Sequence, residues 1–160
     1  MKNIVLKKFT DLSMKHKDMI LLWRNDIRIR KYMYNDKIIQ RHKHLNFIES
    51  LNKDSTQTYF LVTKDNIEIG VIYFKNIVTR NSAELGIYSN PNIKKMGSIL
   101  LNIICDYAFD VLRIDTLYAE VLFDNVKARD LYSNFNFLEK QSKTINNKKI
   151  IIMELKNEDR

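Results

Sequence analysis

Stretches of β-branched and aromatic residues alternate along this chain with stretches whose apolar residues recur three and four positions apart. The first kind predicts strands and the second helices. Lys2 to Phe9 reads as a first strand. Thr10, Asp11 or Ser13 can cap a helix running through Trp23, with Met19, Leu22 and Trp23 on one face. A shorter helix is predicted near Ile27 to Tyr34. Another spans Gln40 to Leu51, with His44, Phe47, Ile48 and Leu51 at helical spacing. Thr58 to Thr63 and Ile67 to Phe74 flank the turn Lys64-Asp65-Asn66 and predict a hairpin. Ser82 to Tyr88 is the next strand. Gly86 in its middle marks a bulge or the close approach of another backbone.

The second half continues the alternation. A helix follows the turn at Asn90 to Met96 and runs to about Leu112, with Ile99, Leu100, Ile103, Tyr107, Ala108 and Val111 facing inward. Thr116 to Phe123 is a strand. Asp124 or Asn125 caps a helix carrying Ala128, Leu131, Tyr132 and Phe135 on one face. Leu138 to Lys143 and Lys149 to Leu155 flank an Asn146-Asn147 turn. One mixed α/β sheet with helices on both faces accounts for this order.

Composition narrows the picture. The 160 residues, 45% of them apolar, make one domain spanning 1–160. One proline and three glycines leave no flexible linker. Apolar runs are too short to span a membrane, and Met1 to Lys8 holds no apolar signal core, so a cytoplasmic protein is expected. The lone Cys105 has no internal disulfide partner and reads as a small buried hydrophobe. His42 and His44 point to different helix faces and His16 is remote, so no metal site is expected. The net charge of +8 fits nucleic acid or a cleft for two diphosphates, and a solvated lysine-rich surface accounts for most of it. No DNA- or RNA-reading signature accompanies it.

Asn90 to Phe137 carries the chemistry. Asn90-Pro91-Asn92-Ile93-Lys94-Lys95-Met96-Gly97-Ser98 is a basic, glycine-containing turn that opens a helix. Unpaired N–H groups at such a terminus hold phosphates. A strand and a second helix then bring Tyr132 back toward that turn. An anion grip with a returning tyrosine points to an enzyme that handles a coenzyme.

With Glu120-Val121, Asn125, Ala128, Tyr132 and Phe137 in this order, the chain resembles the GNAT superfamily of acetyl-CoA-dependent N-acetyltransferases. The resemblance covers nearly the whole chain. It implies a mostly antiparallel, twisted sheet of about seven strands, splayed in a V between the fourth and fifth. Lys94 stands where that superfamily usually has Gln or Arg. Ile99 replaces Gly or Ala and narrows the approach to the pyrophosphate, and Asn136 replaces Gly. The implied cofactor residues are Leu85, Gly86, Ile87 and Tyr88, then Lys94, Lys95, Met96, Gly97, Ser98 and Ile99, then Asn125, Lys127, Ala128 and Tyr132.

Transfer from a thioester to an amine needs three things. The pantetheine arm must be held, and Leu85 to Tyr88 is the candidate strand edge for pairing with its amides. The thioester oxygen must be polarised, for which the Ile87 N–H is the candidate donor, worth roughly 3 kcal/mol. The thiolate must be protonated as it leaves, and Tyr132, with an ordinary phenol pKa near 10, is the candidate acid. Glu84 and Glu120 are the candidate bases for the acceptor amine. The resemblance ranks Glu84 first, and bulk water is an alternative to both.

Leu22-Trp23-Arg24-Asn25, Tyr32-Met33-Tyr34 and His44 to Glu49 narrow the resemblance. They are similar to the nucleotide-sugar N-acetyltransferases of bacterial pseudaminic acid synthesis, a route to flagellin glycosylation. These act on the 4-amino group of a UDP-linked amino-dideoxy sugar. The resemblance implies Arg24 and His44 near the nucleotide phosphates, Met33, Tyr34 and Phe47 near the sugar, and Lys75 and Tyr88 lining the same pocket. Charge agrees, because Arg28, Arg30, Lys31, Lys37, Arg41 and Lys43 alternate with aromatic residues and suit an anionic acceptor with a ring. A homodimer is compatible with this reading. The rival acceptor is a protein N-terminus, and the remote rival is a basic nucleic-acid-binding module.

Overall fold

The structure is a computed structural model that describes residues 3–160; Lys2, the expected start of the first strand, lies outside them. Seven strands form one sheet in the order β1-β2-β3-β4-β5-β7-β6. They are β1 (Ile4–Lys8), β2 (Thr58–Lys64), β3 (Ile67–Val78), β4 (Ser82–Ser89), β5 (Thr116–Leu122), β6 (Leu138–Ile145) and β7 (Lys148–Lys156). Every neighbouring pair is antiparallel except β4 and β5.

That exception shapes the molecule. β4 and β5 pair only from Ser82↔Thr116 to Leu85↔Ala119. Beyond this, β4 stays with β3 as far as Ser89, and β5 stays with β7 as far as Leu122. The two strands therefore part, and the V predicted between the fourth and fifth strands is present. Strand phase says what faces the gap. The Asn90 N–H donates to Ile69 O at 2.9 Å. Bonded pairs alternate in an antiparallel ladder, so Tyr88 and Gly86 turn their backbone polar groups toward β3. Ile87 and Ser89 turn theirs toward the gap.

The two faces of the sheet carry different helices. On one, α4 (Gly97–Asp106) and α5 (Val126–Asn134) pack with Phe74, Leu85, Leu117, Ala119, Tyr132 and Phe137 in the larger core. On the other, α1 (Met14–Asn25) and α3 (Arg41–Ser50) bury Ile20, Trp23 and Ile48 on Leu61 and Val71. Each such aliphatic or aromatic side chain contributes about 1.5–3 kcal/mol by leaving water.

Several local expectations are corrected. Ser13, not Thr10 or Asp11, caps α1, its hydroxyl accepting from His16 N–H at 3.2 Å. Leu22 is 75% exposed; the buried stripe of α1 runs through Ile20 and Trp23 instead. The helix expected from Ile27 to Tyr34 stops as α2 (Ile27–Arg30). Arg30 bends the chain back there, donating from Nε to Asn25 O at 3.1 Å and from Nη1 to Asp36 O at 2.8 Å. Val111, expected inward, is 59% exposed because the winding widens to a π turn over Tyr107–Val111. The Leu112 N–H reaches back five residues to Tyr107 O, so Leu112 takes the inward place. Leu101, Ile104 and Cys105 are also buried, since α4 is covered on more than one side.

Candidate active site

The turn before α4 is built by asparagine. Asn90 Oδ1 accepts from Asn92 N–H at 2.9 Å, and Asn90 Nδ2 donates to Glu68 O at 2.9 Å. Lys95 adopts φ 64°, a left-handed conformation that reverses the chain into the helix. Met96 then begins α4 without a side-chain cap. None of the amides from Lys94 to Ile99 finds a hydrogen-bond acceptor among the described residues. Consecutive free amides at a left-handed bend and a helix N-terminus make an anion nest. Ile99 packs its side chain against the core. Gly97 lets α5 approach: a Cβ there would stand 3.2 Å from Leu131 Cδ2.

α5 starts beside this nest. Asn125 caps it, its side-chain oxygen accepting from Ala128 N–H at 3.2 Å, and Lys127 sits exposed in the first turn. One turn on, Tyr132 packs against Phe137 with ring centroids 5.3 Å apart. Its hydroxyl makes no hydrogen bond to any described residue, and the side chain lines the cleft at the splay. Burial, aided by the nearby Tyr73 phenol, raises its pKa well above that of an ordinary tyrosine. The near match to a thiolate expected for a phenol of ordinary pKa is thus corrected: Tyr132 is a weaker acid that stays protonated.

A cleft of about 530 Å³ opens from the splay toward α1 and α3. Glu84 and Glu120 both line it. Lys75 Nζ stands 3.5 Å from Glu84 Oε2, and Lys143 Nζ stands 2.6 Å from Glu120 Oε2. Glu120 Oε1 also accepts from the Tyr34 hydroxyl at 2.6 Å. Burial, and then the charge of Glu120, raise the pKa of Glu84. The carboxylate pair is thus divided. Glu120 is held by two donors, while Glu84 has one lysine beside it and a pKa raised by burial.

One wall of the cleft is aromatic. Tyr59 and Tyr73 stack with centroids 4.5 Å apart, Phe47 meets Tyr59 edge-on at 5.1 Å, and Tyr88 lies 6.4 Å from Tyr73. The segment between α2 and α3 covers the wall. Lys148 donates to Met33 O at 3.3 Å and to Asp36 Oδ2 at 3.1 Å. Arg24 Nη2 donates to Asn35 O at 3.3 Å, while its Nη1 is buried with no partner. His44 lines the cleft and is at the same time tied to α1. It is buried, its Nε2–H donates to Lys17 O at 2.8 Å, and burial lowers its pKa. A neutral ring committed to α1 is a pin between two helices.

Sequence reasoning missed Tyr59, Tyr73, Lys143 and Lys148. The signal for Tyr73 was Gly86. The two are cross-strand partners, and a Cβ on Gly86 would fall on the Tyr73 ring. The glycine makes room for a side chain as well as a backbone. Lys143 and Lys148 come from the last hairpin, whose register no local pattern announces. Among the described residues, no cluster of His, Cys, Asp and Glu could hold a metal ion, and no helix is long and apolar enough to cross a membrane.

Comparison with known proteins places this geometry. Residues 4–137 match the acetyltransferase (GNAT) domain family. The acetyltransferase PseH of one Campylobacter jejuni strain is 45% identical over 134 residues, 84% of either chain. That of a second strain is 44% identical over the same share. The crystal structure of Campylobacter jejuni N-acetyltransferase PseH in complex with acetyl coenzyme A superposes with TM-score 0.80 at 36% identity, covering 96% of this chain and 99% of that one. The spermidine N-acetyltransferase of Vibrio cholerae, in complex with CoA and spermine, reaches TM-score 0.87 at 21% identity, covering 99% and 98%, and shares the fold. A splayed sheet, a free anion nest and a returning tyrosine on one chain thus have their explanation: the chain belongs to the GNAT acetyltransferase family.

Proposed function

We propose that this enzyme transfers the acetyl group of acetyl-CoA to the 4-amino group of a UDP-linked amino-dideoxy sugar, the step needed for pseudaminic acid and flagellin glycosylation. The observation that carries the acceptor class is Arg24. Its Nη1 is buried and unpaired in the wall of the cleft, and an unsatisfied buried cationic donor costs several kcal/mol unless a ligand anion meets it. The two carboxylates point the same way. Each is already matched by a lysine, so the cleft offers a polyamine no free negative charge. The stacked phenols supply a surface for a base or sugar ring.

The cofactor residues fit their task. The free amides from Lys94 to Ile99 suit a diphosphate, and the unpaired edge at Ile87 and Ser89 suits the amides of pantetheine. In the reaction the acceptor nitrogen attacks the thioester carbon and a C–N bond forms. The oxygen takes the electron pair and is met by the Ile87 N–H. The amine proton goes to Glu84, directly or through water. The C–S bond then breaks, and Tyr132 protonates the departing sulfur. Holding both reactants in one cleft is worth effective molarities on the order of 10⁵ M or more. The reading places the enzyme in the cytoplasm, where Cys105 stays reduced; assembly as a homodimer completes it.

Thiol release decides the matter. Acetyl-CoA mixed with the UDP-4-amino sugar should release thiol far faster than with spermidine or an N-terminal peptide. Preference for either rival acceptor would overturn the reading.

A further inference from the structure

Tyr73 belongs to no part of the cofactor grip, yet it stands where the reaction must occur. Its partner across the β3–β4 ladder is Gly86, the first residue of β4 beyond the last pair with β5. The ring lies over that glycine, since a Cβ there would fall on it. Stacking on Tyr59 at an interplanar angle of 6° fixes the ring plane. The hydroxyl makes no hydrogen bond to any described residue, although the side chain is deep in the cleft. Burial and the charge of Glu84 push its pKa up to about 12, and its own presence is felt by Tyr132 and Tyr34. Lys75↔Glu84 is the next pair but one along the same ladder, and Tyr34 and Tyr132 line the same cleft, so the phenol shares one cavity with the proposed base, the proposed acid and the acceptor loop. It is held rigidly and has nothing to bind until substrate arrives.

We propose that Tyr73 is a further catalytic residue of this enzyme, its hydroxyl accepting a hydrogen bond from the acceptor amine while donating toward Glu84. This rests on the acetyl-transfer reading above. The amine lone pair is then aimed at the thioester carbon. As the C–N bond forms, the nitrogen proton passes to the Tyr73 oxygen and the Tyr73 proton passes to Glu84, directly or through one water. Tyr73 ends as it began, and Glu84 carries the proton away. Gly86 is the residue that admits the phenol to this position.

The test is steady-state kinetics with acetyl-CoA and the UDP-amino sugar on wild type, Tyr73→Phe and Gly86→Ala, with acetyl-CoA affinity from calorimetry. Tyr73→Phe keeps the stacked ring and removes only the oxygen. It should lower kcat by at least roughly tenfold, within the range of a lost proton-transfer partner, and leave acetyl-CoA affinity unchanged. Gly86→Ala should also lower kcat, because the new Cβ displaces the ring. A Tyr73→Phe enzyme whose kcat stays within about twofold, or whose loss lies wholly in acceptor KM, would overturn the proposal and leave Tyr73 as a wall. A loss in Gly86→Ala without one in Tyr73→Phe would do the same. The wild-type reaction run alongside separates the two ideas: if it releases no thiol, the function has failed rather than the role of Tyr73.

Discussion

The Tyr34 hydroxyl donates to Glu120 Oε1 across 2.6 Å, although the two residues lie 86 positions apart. The bond ties the segment between α2 and α3 to β5, and with Lys143 on the other oxygen it leaves Glu120 little freedom. Glu120 therefore anchors that segment beside the splay. Tyr34→Phe removes a hydrogen bond to a charged group, worth about 1.5–3 kcal/mol. Acceptor KM should rise roughly tenfold while acetyl-CoA affinity measured by calorimetry stays the same. An unchanged acceptor KM would show that the loop's other contacts, from Arg24, Asn25, Arg30 and Lys148, suffice to hold it.

Tyr132→Phe leaves the packing against Phe137 in place and removes the proton donor. Turnover should fall by about 10²- to 10⁴-fold, with acetyl-CoA binding nearly intact. Because burial raises the phenol pKa, no loss of activity from ionisation of Tyr132 is expected up to the pH at which ordinary tyrosines titrate. Wild-type turnover in the phenylalanine variant removes its role as acid.

Glu84 predicts the acidic limb of the pH–rate profile. It acts as a base only when ionised, and its pKa is raised by burial and then by Glu120. The rate should therefore rise with pH through a midpoint above the ordinary glutamate value. Glu84→Gln should abolish that limb along with most activity, whereas Glu120→Gln should retain it. A limb that survives in Glu84→Gln would assign the proton to Glu120 or to water.

Gly97→Ala probes the anion nest. The added Cβ meets only the tip of Leu131, at 3.2 Å, so the fold should tolerate it and the melting temperature should change little. A diphosphate lying against the first turn of α4 would lose its closest backbone approach. The Kd for acetyl-CoA should rise roughly tenfold, about 1.4 kcal/mol. Unchanged affinity would place the diphosphate elsewhere.

His44 links acidity to stability. Its folded pKa lies below the ordinary histidine value of about 6.5, chiefly through burial. The unfolded chain then binds the extra proton first, so stability is fully present above pH 6.5 and declines as the pH falls toward the folded pKa. His44→Gln keeps a donor for Lys17 O and has nothing to titrate. Thermal melts between neutral and mildly acidic pH should show a shallower decline for the variant than for wild type. Equal slopes would remove His44 from the account.

Much of this was legible in the chain. Ser13 and Asn125 announce helix starts because a side-chain oxygen satisfies amides two or three residues on, a local event. The Asn146-Asn147 turn between β6 and β7 has both residues at positive φ, 50° and 62°, which asparagine tolerates. The anion nest was readable for the same reason, since every group in it lies between Asn90 and Ile99. The expectations that failed here were those in which a specific hydrogen bond overrides the apolar period. α2 stops because Arg30 reaches Asp36, and Val111 faces out because the π turn adds a residue to the winding.

Local pattern by itself determined the strands, the helices, the turn whose amides are left free and the tyrosine in the helix that returns to it. These follow from propensity, capping and periodicity, which act over a few residues. Only the tertiary structure decided that Glu120 is bound by Tyr34 and Lys143, that burial raises the Glu84 pKa, that His44 ties α3 to α1, and that Tyr73 lies over Gly86 at the vertex of the splay. Each of these depends on the register between strands and on burial, and both are set by pairings between residues far apart along the chain.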